Sequence, residues 1–196
     1  MIKRLFDIAF SFTILIILAP AFFVIGIIIK FTSRGPIIYN WKVVGKNGKY
    51  FKSYKFRTMI EDADLKKKNL MSKNEMKGPF FKITNDPRIT KIGGFLRKYS
   101  LDELPQFFSV LEGNMSIVGP RPPLQKEYEL FTEFEKRKLS MKPGLTCLWQ
   151  VEGRNEISDP ELWIKKDLEY IENQSFLLDC KIIFKTILVV LKGTGK

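Results

Sequence analysis

The sequence predicts an α+β chain, mostly helical. A proline-broken membrane helix occupies residues 1–29, and a small domain over 30–196 carries a β-hairpin and amphipathic helices. Three observations lead there. Ile8 to Ile29 is a run of 22 residues without a charge, Asn47-Gly48 separates two strand-like runs, and apolar residues recur at helical spacing between Asp159 and Leu191. The length, 196 residues, suits one globular unit with a real core.

The apolar run passes the usual threshold for a membrane segment, with Ser11 and Thr13 its only hydroxyls. It exceeds a signal-peptide core, and no small-residue cleavage site precedes the basic stretch that follows. Pro20, near its midpoint, removes one helical hydrogen bond and crowds the preceding turn. Two geometries satisfy this: a hairpin that dips into the bilayer and returns, or a kinked span with its N-terminus outside. Lys30 to Arg57 carries eight basic residues and no acidic one, which by the positive-inside rule puts the domain on the cytoplasmic side. Anionic phospholipid would attract each basic side chain near the surface by about 1 kcal/mol.

Ile37 to Val44 and Tyr50 to Arg57 read as strands joined through Gly45 to Lys49. Glu61 to Met76 reads as a polar, solvated helix. Asp159-Pro160-Glu161 is an N-cap signature, followed by an apolar stripe through Ile164, Leu168 and Ile171. Cys180, Ile183, Phe184, Ile187, Leu188 and Leu191 form a second stripe, expected to face the core, the alternative being a helix lying on the membrane surface. Cys147 and Cys180 are expected to stay reduced.

With 33 Lys and Arg against 21 Asp and Glu, the net charge of +12 points to an anionic partner without selecting one. Histidine is absent, so acid-base or metal chemistry must use carboxylates, amines, phenols or thiols. Neither a Walker nor a Rossmann glycine pattern is present. The informative stretch is Asn85 to Pro123, where cations alternate with one adjacent acidic pair, Asp102 and Glu103. Ser100 and Glu103 stand at capping-box spacing, which predicts a helix start with Ser100 as cap. A helix start also suits phosphate chemistry, because its positive end favours an ionised carboxylate and attracts phosphate oxygens. An ionised Asp is a nucleophile toward phosphorus, and two adjacent carboxylates can hold Mg²⁺. Arg88, Arg97, Arg121 and Arg154 are the candidate phosphate-contacting cations.

These motifs, in this order, resemble the monotopic phosphoglycosyl transferases, the bacterial sugar transferase family. The resemblance runs through the whole chain: KFRTM at Lys55 to Met59, NDPRIT at Asn85 to Thr90, LRKYSLDELPQ at Leu96 to Gln106, SIVGPRP at Ser116 to Pro122, KPGLTCLWQVEGRN at Lys142 to Asn155, and YIENQSFLLDCKII at Tyr170 to Ile183. It implies a re-entrant helix rather than a span, in the minimal single-domain form of the family, at the cytoplasmic face of a bacterial inner membrane. It implies that Asp102 attacks the β-phosphorus of a UDP-sugar, that UMP leaves, and that polyprenyl phosphate takes up the phosphosugar, with Mg²⁺ required and Glu103 completing an acidic dyad. Lys55, Arg88, Arg121, Arg154 and Asp179 match further polar positions of the family's motifs and are expected to serve substrate binding or structure. The segment Asn40-Trp41-Lys42-Val43-Val44-Gly45 departs from the family's usual Arg-Gln-x-Arg-x-Gly, and Cys147 replaces a small residue. The rival reading is a basic, membrane-tethered module that binds nucleic acid or anionic lipid. It gives no reason for an acidic pair among arginines, so nucleic acid is not an expected partner. The sequence leaves open the sugar and whether two copies pair as a homodimer.

Overall fold

The computed structural model describes residues 2–76, 80–153 and 159–195. Helix α1, Ile2–Thr32, runs further at both ends than the uncharged stretch, and Pro20 lies inside one helical element instead of dividing two. A single proline deletes one donor, and the bonds on either side carry the helix past it.

Both ends of α1 are fastened to the same domain. Near the N-terminus, Lys3 Nζ lies 2.6 Å from Asp179 Oδ2, Arg4 donates to the carbonyls of Val110 and Leu111, and buried Asp7 accepts from the Ser116 hydroxyl at 2.8 Å and the Ile117 amide at 3.1 Å. At the other end Ile29 is buried with Phe56 and Leu96, and Arg57 donates to the Ser33 carbonyl at 2.6 Å. Between these anchors Phe12, Ile16, Ile17, Phe23 and Val24 are all more than half exposed. An apolar surface of that size in water is unfavourable, which fits a segment immersed in lipid.

Strands β1, Ile38–Val44, and β2, Tyr50–Phe56, pair antiparallel with Trp41 opposite Ser53. The connecting turn places Asn47 and Gly48 at φ 57° and 75°, the left-handed region those residues enter at least cost. The two faces of the hairpin do different things. Trp41, Ser53 and Lys55 alternate with Ile38, Asn40, Tyr54 and Phe56 on the opposite face.

The single polar helix expected over 61–76 is instead a short helix α2, Ala63–Lys67, followed by a 3₁₀ stretch Lys68–Lys73. Three consecutive lysines repel one another, and Asn69 and Ser72 favour local bonds over continued α-helix. Helix α3, Lys91–Lys98, a 3₁₀ turn Leu101–Glu103 and helix α4, Gln106–Leu111, carry the chain to strand β3, Ser116–Val118. Short helices α5, Gln125–Tyr128, and α6, Glu133–Lys136, precede strand β4, Gly144–Thr146, which pairs parallel with β3. A Cβ on Gly144 would lie 2.1 Å from the Gly119 nitrogen, so only glycine lets these backbones meet.

Helix α7, Leu148–Gly153, leads toward α8, Pro160–Asn173, and α9, Phe176–Lys192. Asp159 caps α8 by accepting from the Glu161 amide, and Ile164 and Leu168 turn inward as their spacing predicts. The main core joins Val110, Met115, Ile117, Val118, Leu148, Tyr170 and Ile182. Beside it, Lys138 Nζ lies 2.5 Å from Asp167 Oδ2 with both groups buried. Burial raises the Asp167 carboxyl and Lys138 counters it, so the pair stands or falls together.

On α9 the expected core stripe is corrected. Asp179 and Ile182 are the buried positions, whereas Cys180, Phe184, Ile187, Leu188 and Leu191 are exposed and Ile183 is half-buried. Asp179 can turn inward because Lys3 and Tyr170 satisfy its carboxylate, leaving the apolar stripe outside. The apolar stripe is thus exposed, the feature that the surface-helix alternative requires. Both cysteines are free, Cys147 buried and Cys180 exposed.

Candidate active site

Asp102 is buried in the 3₁₀ turn Leu101–Glu103. The turn is entered through Ser100 at φ 52°, and in that left-handed conformation Ser100 makes no side-chain cap. The expected capping box is therefore absent. The helix cap of this region is Thr90, whose Oγ1 accepts from the Gly93 amide at 2.9 Å. Gly93 is needed because a Cβ there would lie 2.0 Å from the Thr58 carbonyl oxygen, so α3 presses directly on the chain leaving β2.

That packing brings a cluster of charge to the dyad. Lys55, from β2, holds Glu103 Oε1 at 2.6 Å, and its amine sits 4.4 Å over the Trp41 ring. The ring face confines a cation that would otherwise wander in solvent. Arg97, from α3, donates through Nε to Thr58 Oγ1 at 2.9 Å. Burial lowers the Arg97 guanidinium from its ordinary value. Asp102 is the largest influence opposing that shift, ahead of Asp86, with Glu103 smaller. Asp102 is thus the carboxylate that acts most strongly on Arg97. Sequence reasoning placed it among candidate cations only, and its position five residues before Asp102 was the available signal.

Arg88 serves differently. It is buried and clasps Asp86 with Nε at 2.9 Å from Oδ1 and Nη2 at 2.6 Å from Oδ2, and it reaches the Ala63 carbonyl at 3.2 Å. Its hydrogen bond holds the Asp86 carboxyl below its ordinary value despite burial, with Arg97 adding to the effect. Arg88 therefore brackets the loop behind Arg97. Arg121 follows β3, with Nη1 3.4 Å from Glu127 Oε2 and its amide 3.4 Å from Asp167 Oδ1. Burial alone would lower its guanidinium, and Glu127, with smaller contributions from Glu103 and Asp167, reverses that. The Arg121 side chain as a whole is 28% exposed.

Asp179 joins a different cluster. It accepts from Tyr170 at 2.5 Å, Lys3 at 2.6 Å and Gln174 at 3.3 Å, and Tyr170 also reaches the Val118 carbonyl. These bonds tie α1, α8, α9 and β3 together, which is a structural role. Arg154 lies outside the described residues.

Chemically, a buried carboxylate beside a second one, with a lysine and an arginine within their field, can attack an electrophile that carries negative charge. The cations offset the repulsion an anionic phosphate would meet. Among the described residues no group of three or more His, Cys, Asp or Glu side chains gathers.

Comparison with known proteins gives that chemistry its context. The sequence pattern of the family described as bacterial sugar transferase matches residues 1–193. The exopolysaccharide production protein ExoY of Sinorhizobium fredii is 41% identical over 197 residues, covering 98% of this chain and 87% of that protein. The undecaprenyl-phosphate galactose phosphotransferase of Salmonella typhimurium is 44% identical over 199 residues, 99% of this chain and 41% of its own length. The galactosyl transferase CpsE of Streptococcus agalactiae is 53% identical over 161 residues, 82% of this chain and 36% of its own length. The chain spans most of ExoY and less than half of the other two. With the pattern matched almost end to end and a relative of similar length at this identity, the chain belongs to the bacterial sugar transferase family.

Proposed function

We propose that this chain transfers a sugar-1-phosphate from a UDP-sugar to polyprenyl phosphate through a covalent phosphosugar on Asp102, as the opening membrane step of glycan or glycoconjugate assembly. The observation that carries the reading is the buried Asp102 beside Glu103, with Arg97 coupled to it and Lys55 bonded to its neighbour. In the first step an Asp102 carboxylate oxygen bonds to the β-phosphorus, the bond from that phosphorus to the bridging oxygen breaks, and UMP leaves with the electron pair. In the second, a phosphate oxygen of the acceptor bonds to the same phosphorus, the bond to Asp102 breaks, and the carboxylate is restored. Neither step requires a histidine.

Asp102 and Glu103 fit Mg²⁺, which takes one or two carboxylates and fills its octahedron with water and substrate oxygens. When bound, that ion supplies charge neutralisation on the diphosphate. Lys55 positions Glu103, and Arg97 and Arg121 stabilise anionic charge. Membership of the bacterial sugar transferase family, together with a relative named as an undecaprenyl-phosphate galactose phosphotransferase, favours this chemistry over a basic binding module. The test is UMP release from a panel of UDP-sugars by membranes containing the chain, with polyprenyl phosphate and Mg²⁺. UMP is the expected product, and release of UDP instead would indicate ordinary glycosyl transfer and overturn the reading.

The same reading puts the domain on the cytoplasmic face of the inner membrane, with α1 re-entrant. Its support is the attachment of both helix ends to one domain, the exposed apolar face of α9, and the basic stretch that would meet anionic phospholipid. In a chain lacking Cys147 and Cys180, single cysteines introduced by Ile2→Cys and by Arg34→Cys should both react with an impermeant maleimide from the cytoplasmic side. Ile2 is chosen because it is exposed, whereas Lys3 is bonded. Reaction at position 2 only from the periplasm would restore the spanning helix.

A further inference from the structure

Trp41 of β1 stands directly opposite Ser53 of β2, and Lys55 is the next residue of β2 on the same face. Ser53 is small and fully buried, which leaves the indole room to lean along β2 until its face meets the Lys55 amine, 4.4 Å from the ring centre. That amine also lies 2.6 Å from Glu103 Oε1. We propose that Trp41 is a positioning residue for the transfer reaction: it holds the Lys55 amine against Glu103 and so fixes the second carboxylate of the dyad while Asp102 attacks. The inference rests on the proposed transfer reaction and adds to it a residue that acts through Lys55.

A lysine reaches a carboxylate on a flexible four-carbon stem. The Lys55 and Glu103 side chains are 20% and 19% exposed, so solvent reaches the pair and screens part of its attraction, while ordering the stem costs entropy. A second contact from an aromatic face offsets that cost, and tryptophan is the ring that does so best. The ring is not held there by its polar atom. Its indole nitrogen is buried and makes no hydrogen bond among the described residues, a penalty phenylalanine would not carry. What tryptophan adds at this position is the face turned to Lys55. The contact also belongs to this chain's own departure, since Trp41 lies in the segment Asn40 to Gly45 that differs from the family's usual pattern, whereas Lys55, Asp102 and Glu103 match it.

Trp41→Leu removes the ring and keeps an apolar side chain, and Trp41→Phe keeps a ring with a weaker face. Turnover should fall in the order tryptophan, phenylalanine, leucine. In Trp41→Leu, kcat for UMP release should drop roughly tenfold, the size of one well-made cation–π contact, with KM for the UDP-sugar kept within about twofold. In a Lys55→Gln background the same change should alter kcat by less than about twofold, because the residue it acts through is gone. A tryptophan used only for packing would cost the same in both backgrounds. Trp41→Met, which fills more of the space without a ring, takes the place of Trp41→Leu if that variant does not fold. The contact itself can be read by magnetic resonance on the full chain in lipid nanodiscs with isotopically labelled lysine. The Lys55 ε-methylene, identified by its loss in Lys55→Gln, should be shifted upfield by the ring, keep most of that shift in Trp41→Phe and lose it in Trp41→Leu. Unchanged kcat in folded Trp41→Leu, an equal loss in both backgrounds, or an unshifted Lys55 signal in the unaltered chain would overturn the role of Trp41. Absence of UMP release by the unaltered chain with every UDP-sugar and every acceptor would instead sink the transfer reaction, and this role with it.

Discussion

Asp102→Asn is expected to bring UMP release down to background while the chain still folds and enters the membrane. Asparagine keeps the shape of the side chain in its buried turn but has no anionic oxygen to attack phosphorus. Loss of a nucleophile in a covalent mechanism is on the order of 10⁶-fold in kcat where it has been dissected. The same experiment distinguishes two mechanisms. With Mg²⁺ and UDP-sugar but no acceptor, the unaltered chain should release at most one equivalent of UMP and gain the mass of one phosphosugar. Polyprenyl phosphate should then discharge the adduct and restore cycling, and Asp102→Asn should show neither the burst nor the mass. UMP formed only when both substrates are present, with no adduct at any time by rapid quench and intact mass, would favour direct transfer and demote Asp102 to a metal ligand or base. Glu103→Gln should also reduce turnover, since it removes the charge that holds Lys55 at 2.6 Å.

The elements readable from sequence were those whose signal is local. Asn47-Gly48 fixes the hairpin because those two residues accept positive φ most readily, and Asp159-Pro160 starts α8 because capping is a short-range bond. Sidedness is not local. The periodicity of α9 shows which residues share a stripe, but not that the stripe faces outward. That outcome depends on Asp179 meeting Lys3, 176 positions away in sequence. Strands β3 and β4, each three residues long, carry no periodicity to read. In the site, the acidic pair was legible and its backbone was not. Ser100 and Glu103 have the spacing of a capping box, yet Ser100 takes positive φ and makes no side-chain cap. The arginines differ only in their surroundings: Arg88 is consumed by Asp86 two residues away, while Arg97 is part-buried where Asp102 can act on it. Trp41 lies in the segment that departs from the family's usual pattern. Its ring lies under the Lys55 amine, a pairing between diagonal positions of neighbouring strands that appears once their register is known.

Arg121→Ala is expected to lower turnover by roughly 10²-fold or more, the scale for removing one preorganised electrostatic contact from a developing phosphate charge. Pro120, Pro122 and Pro123 stiffen the backbone around Arg121, and its amide is bonded to Asp167, so the origin of the side chain is fixed before substrate arrives. The guanidinium itself is held loosely, 3.4 Å from Glu127, and remains part-exposed. A cation used only for structure would be expected to close that distance, as Arg88 does on Asp86 at 2.6 Å. Arg121→Lys should rescue partly, because a lysine restores the charge but not the planar fork that grips two phosphate oxygens. Glu127→Gln separates the two roles. Glutamine keeps an oxygen to accept from the Leu124 amide, a bond Glu127 makes at 2.9 Å, while removing the charge opposite Arg121. If Arg121 acts on substrate, Glu127→Gln should retain most of the turnover and Arg121→Ala should not. Should both variants lose activity equally, with matching losses of thermal stability, the pair is structural and Arg121 leaves the site.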